Sequence, residues 1–123
     1  MDVIDLKAIE TALQIKLPQH YAELVTNYPN ELLGTEAEDF ALINDSRQLI
    51  DENRSVRSGH FYGSRWPNNL LLIGTNGCGD FYVTALNARE FSTGFFDHEQ
   101  RAFVPHSHSR LEFIEKVLVE QAG

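Results

Sequence analysis

The sequence predicts an α+β fold: a mainly antiparallel central sheet flanked by N-terminal helices and a C-terminal helix. Three observations carry this. Leu70–Ile73 and Phe81–Leu86 are apolar runs too short for helices and bounded by turn residues, so both read as buried strands. Further short strands follow closely at Gly94–Asp97 and Ala102–Val104, a meander that favours antiparallel pairing. Apolar residues at helical spacing sit at both ends of the chain, Leu6, Ile9 and Leu13 first and Leu111, Ile114, Val117 and Leu118 last.

In chain order, Asp2 or Asp5 starts a helix over about Val3–Gln14. Pro18 suits the first position of a second helix that carries Tyr21, Leu24, Val25 and Tyr28 and ends before Pro29. Glu31–Asp39 holds four acids and no base, and reads as an exposed loop or a short edge segment. Phe40–Ile43 is expected as a first strand. Asn44, Asp45 and Ser46 offer cap side chains to a third helix reaching about Ser55. Ser58–Ser64 is a glycine-rich polar loop. Trp66-Pro67-Asn68-Asn69 turns the chain into the central hairpin, whose loop, Gly74–Gly79, holds three glycines. Asp97–Arg101 joins the last two strands. Ser109-Arg110-Leu111-Glu112 is a capping box that opens the final helix, which runs to about Gln121.

A chain of 123 residues suits one domain, taken here as 1–123, with a core that needs no disulfide or metal. The single cysteine makes no internal disulfide, the N-terminus does not read as a signal peptide, and no stretch is apolar enough to span a membrane. A cytoplasmic location is expected. The formal charge is −8 and uneven: residues 1–45 carry nine acids against two lysines, residues 46–123 nine acids against eight bases. Such a chain repels nucleic acid and anionic membranes and attracts basic partners. Arg47, Arg54, Arg57 and Arg65 lie near Phe61, Tyr62 and Trp66, but Asp45, Asp51 and Glu52 interleave them, which argues against a nucleic-acid patch.

The side chains that could carry chemistry have simpler structural readings. Cys78 is flanked by glycines in a loop that leads into a strand, so no helix dipole activates it; a turn is the simpler role. His106-Ser107-His108 could chelate a metal from one strand face, with Asp97 or His98 as a further ligand. The pair reads more simply as a polar connector after the last strand. Gly74–Gly79 lacks the lysine followed by serine or threonine of a phosphate loop, and it opens onto a strand instead of a helix. Asp80 and Asp97 sit at strand ends, and nothing in their spacing joins them. No catalytic, cofactor or metal site is expected.

The order of motifs resembles the SUKH superfamily, which includes bacterial immunity proteins against polymorphic toxins and a fungal cell-wall-assembly regulator. Four pieces carry the resemblance: Leu17-Pro18-Gln19-His20-Tyr21 at the second helix; Trp66 before the central strand; Ile73-Gly74-Thr75-Asn76-Gly77-Cys78-Gly79-Asp80; and Phe96-Asp97-His98-Glu99. A closing helix with Phe113 and Ile114 follows. Two departures are Asn27-Tyr28-Pro29-Asn30, where the family often has a glycine pair, and Leu86-Asn87 in place of leucine-aspartate. The resemblance implies an α+β domain and a binding protein instead of an enzyme. It implies an immunity protein that neutralises a cognate toxin domain, a basic nuclease being one candidate. A regulatory interaction module is the first alternative, and a small cysteine-dependent enzyme using Cys78 the second. The motif residues look like fold determinants. The expected contact residues come instead from charge: Glu31, Glu36, Glu38, Asp39 and Asp45, offered to a basic toxin. Self-association stays open, Tyr62 being an aromatic that could serve either kind of contact.

Overall fold

Two capping carboxylates set the first helix. In the computed structural model, which describes residues 1–58, 66–76, 80–97 and 102–122, helix α1 spans Val3–Leu13. The Asp2 carboxylate accepts from the Asp5 backbone N–H and the Asp5 carboxylate accepts from that of Asp2, a reciprocal capping box. Ile9 faces the core and Gln14 closes the helix in the left-handed region (φ 55°). Helix α2 spans Gln19–Thr26 with Pro18 as its N-cap, and it stops short of Tyr28. Its buried face is Tyr21, Leu24 and Val25.

The next stretch departs from the expected one. Residues 30–35 turn, and Glu36–Asp39 forms a single-turn helix, α3, capped by the Thr35 hydroxyl, which accepts from Ala37 N–H. Phe40–Ile43 is not a strand. It is a turn that runs beside the sheet and touches it through two backbone hydrogen bonds. Its apolar character arises because Ala41, Leu42 and Ile43 are buried while turning, not because they pair along a ladder. Helix α4 runs over Ser46–Ser58, longer than the spacing of Leu49 and Ile50 suggests, and packs on α1.

Four antiparallel strands follow in sequence order: β1 (Leu70–Thr75), β2 (Phe81–Ala85), β3 (Thr93–Asp97) and β4 (Ala102–Ser107). The last is longer than expected and takes in His106 and Ser107. Cross-strand pairs sort the two faces of the sheet. Phe81 and Phe96 pair on one face, where Trp66 packs on both at ring distances of 5.9 and 4.8 Å. Tyr82 and Phe95 pair on the other, stacked at 4.8 Å, beneath Phe113 of helix α5 (Arg110–Ala122).

β1 lies at the edge of the sheet, yet Leu70–Ile73 are all buried. Its outer backbone groups are taken up one by one. Leu70 C=O accepts from Arg57 Nη2 and Trp66 Nε1 at 2.8 and 2.9 Å. The Asn53 carboxamide donates to Leu72 C=O (2.9 Å) and accepts from Leu72 N–H (3.0 Å). A bulge between Leu72 and Gly74 then reverses the parity. Ile73 C=O accepts from Ile43 N–H (3.0 Å), and Thr75 N–H donates to Phe40 C=O (2.7 Å). Gly74 is needed because a Cβ there would lie 1.9 Å from Ala41 O.

Candidate partner-binding surface

Of the five acidic residues expected to meet a partner, Glu36, Glu38 and Asp39 lie on α3, Asp45 directly precedes α4, and Glu31 lies in the turn before α3. Glu31 is exposed in the turn after Pro29. Glu36 and Asp39 are exposed on α3. Glu38 is different: its carboxylate accepts from Gly34 N–H (2.8 Å) and from Asn44 Nδ2 (3.5 Å), so it holds the turn together. Asp45 caps α4 by accepting from Gln48 N–H at 2.9 Å, and stays exposed. Gln48 Nε2 in turn donates to Asp39 C=O (2.9 Å), tying α4 to α3. Burial first, and then the carboxylates of Glu38 and Asp39, push the Tyr28 phenol above its usual range; its hydroxyl donates to Leu42 C=O.

Tertiary contact adds acids that the linear sequence separates. Ser46 Oγ donates to Asp5 Oδ1 at 3.3 Å, which sets the first turn of α1 beside the start of α4. Apolar side chains also reach solvent nearby: Leu33 and Phe40, before and after α3, are each about half exposed. In the sequence Phe40 looks like the start of a strand, because an apolar residue follows an acidic run.

The other candidate chemistries separate. Cys78, His98, Tyr62 and Arg65 lie outside the described residues. His106 is buried in β4 and His108 is exposed beyond it, so the two do not form a chelating pair, nor are both in a connector. Among the described residues, no group of three histidine, cysteine or acidic side chains could hold a metal ion. The Phe81–Phe96 pairing places positions 80 and 97 side by side at one end of the sheet, a proximity their spacing did not reveal. Arg57 donates to Leu70 C=O, Arg54 to Ala12 C=O, and Trp66 is buried, so these do not line up as a nucleic-acid patch.

His106 does build a polar chain. Its Nε2 lies 2.7 Å from Glu120 Oε1 and its Nδ1 lies 3.0 Å from Ser107 Oγ. Tyr82 donates to the same Glu120 carboxylate, and Ser107 shares a hydrogen bond with Thr93. The order carboxylate, imidazole, hydroxyl is that of a nucleophilic triad. Ser107 and Thr93 are wholly buried, however, so the chain serves as a tie between α5 and the sheet. At the opposite end of α5, Glu112 N–H donates to Ser109 Oγ (3.0 Å), while the Glu112 carboxylate reaches His108 N–H (2.9 Å) instead of that of Ser109.

Among the described residues no helix is long and apolar enough to cross a membrane. Comparison with curated proteins gave no match, and neither did comparison with solved structures. Comparison with family models matched the SMI1 / KNR4 family (SUKH-1) over residues 2–110, from the cap of α1 to the start of α5. That span includes the α2 entry, Trp66 and the glycine-rich hairpin, and on it the chain belongs to the SMI1 / KNR4 family (SUKH-1).

Proposed function

We propose that the chain is an immunity protein that binds a cognate toxin domain in the cytoplasm and neutralises it by occlusion, without chemistry of its own. Family membership supports the immunity reading in general terms. The observation that carries the particular one is the exposed acidic turn and helix over residues 31–39, which holds no base and presents Glu31, Glu36 and Asp39 to solvent. Carboxylates held on a short rigid element attract a basic surface, speed its association and mimic the phosphates such a surface is built to grip. Glu38 and Asp45 contribute charge to the same field while anchoring backbone.

The test is co-expression with a candidate toxin domain encoded beside this gene, read as rescue of growth and co-purification of the pair. Association of the purified proteins is then followed at low and high salt. The triple change Glu31→Lys/Glu36→Lys/Asp39→Lys is expected to slow association at least about tenfold at low salt and to flatten its salt dependence. Rescue with an unchanged salt dependence would place the contact elsewhere. Absence of rescue and of a complex would favour a regulatory interaction module.

A further inference from the structure

A cavity of about 500 Å³ lies between α2 and the start of α5, with Phe91 of the β2–β3 connection as a further wall. That volume falls within the roughly 300–1,000 Å³ of small-molecule sites. Its apolar part is the buried Leu24 and the ring of Phe91, which the His20 ring meets at a tilt, 5.3 Å between centroids. Burial holds the pKa of His20 below its ordinary 6.5, so this part carries no charge at neutral pH.

The charged part is a pair of opposite signs, Glu23 from α2 and Arg110 from α5. The two do not pair with each other. Glu23 accepts from Gln19 Nε2 at 3.0 Å, and Arg110 donates through Nη2 to Asn27 C=O at 2.7 Å. The reason is local geometry. Asn27 caps α2 four residues after Glu23, about 6 Å further along the axis, and helical side chains lean towards the N-terminus. The guanidinium is thus held at the C-terminal end of α2, with the carboxylate a turn away. Each keeps hydrogen-bonding capacity. Arg110 has N–H groups beyond the one bonded to Asn27, and the second Glu23 oxygen accepts from nothing among the described residues. Beside Arg110, the Ser109 hydroxyl accepts from Glu112 N–H and keeps its own proton to donate.

This division selects the ligand. A simple anion would meet Glu23, and a simple cation would meet Arg110. A neutral apolar molecule would strip water from both charges and replace it with nothing. A molecule with an ammonium and a carboxylate a few bonds apart answers both charges, and an apolar side chain on it answers Leu24 and Phe91. We propose that the α2–α5 cavity binds a free α-amino acid with an apolar side chain, its carboxylate on Arg110 and Ser109 and its ammonium on Glu23. No residue of the acidic stretch over 31–39 lines this cavity, and the proposal does not depend on the immunity reading.

The test is calorimetric titration of the full chain with L-leucine and L-phenylalanine near neutral pH. Saturable binding with a Kd below about 1 mM is expected for at least one of them. N-acetyl-L-leucine, which lacks the ammonium, and L-leucinamide, which lacks the carboxylate, are expected to bind at least about tenfold more weakly than L-leucine. Glu23→Gln is expected to abolish the preference for L-leucine over N-acetyl-L-leucine, and Arg110→Gln the preference over L-leucinamide. Both positions are exposed, so the melting temperature is retained. Arg110→Gln also removes the bond to Asn27, and if that variant unfolds, Glu23→Gln alone decides. No saturable binding of either amino acid overturns the proposal, as does binding that Glu23→Gln leaves unchanged. N-acetyl-L-leucine bound as tightly as L-leucine makes the cavity an anion site and overturns the zwitterionic ligand.

Discussion

Gly74 shows how a single residue can be fixed by what passes over it. The turn at Ala41 lies so close to β1 that any side chain at position 74 would occupy the space of a backbone carbonyl. Backbone cannot swing aside as a flexible side chain can, so the cost falls on the whole 40–43 segment. Gly74→Ala is expected to destabilise the protein by at least about 3 kcal/mol, read as a lower urea midpoint with an unchanged slope. An unchanged midpoint would mean that the segment does not lie on the strand. The glycine was legible in the sequence as a special position. Its reason was not, because the residue it meets lies 33 positions earlier and was itself expected to be a strand.

At the scale of elements, β1 is an edge strand that behaves as a central one. An uncovered edge exposes unpaired N–H and C=O groups and invites pairing with other chains. Here side chains of α4 and the backbone of the 40–43 turn take the place of a fifth strand. Asn53 contributes most, since one carboxamide satisfies both backbone groups of Leu72. Asn53→Leu keeps the bulk and orphans both groups at about 1–3 kcal/mol each. A loss of about 2–5 kcal/mol in stability is expected in denaturant titration, together with concentration-dependent aggregation. A stable, monomeric variant would show that water or a shifted helix can cap the edge instead. Helical spacing from Leu49 to Val56 puts Asn53 on the inward stripe, but nothing local shows that its carboxamide meets Leu72, nineteen residues on.

For the molecule as a whole, proton linkage passes through His20. Thr84 Oγ1 gives its proton to Ser92 C=O at 2.9 Å, so it accepts from His20 Nε2, also at 2.9 Å. The remaining nitrogen, Nδ1, is buried and has no partner among the described residues. Burial accordingly lowers the pKa of His20 below its ordinary 6.5, against weaker opposing pulls from Ser92 C=O and Glu23. The unfolded chain therefore binds a proton before the folded chain does. The contribution to stability is fully present above pH 6.5, declines as the pH falls below it, and levels off beneath the folded pKa. Melting temperature is expected to drop on acidification through this window, and His20→Gln to reduce the drop. Identical pH profiles for the two proteins would remove His20 from the linkage.

Fold class, the antiparallel meander, both terminal helices and the family are all legible along the chain, because periodicity, caps and glycine spacing are local signals that survive in one dimension. The acidic stretch is legible too, since charge needs no partner to be counted. What those elements face was set by packing between distant segments. It turned Phe40–Ile43 from a strand into a cover for β1, made Glu38 a brace of its own turn, and brought Asp5 to the start of α4 across 41 residues. It also rotated α5 so that Phe113 points inward and Leu111 outward. The physical reason is common to all of these. Helical spacing fixes which residues share a stripe, but which stripe meets the core depends on surfaces contributed by distant parts of the chain.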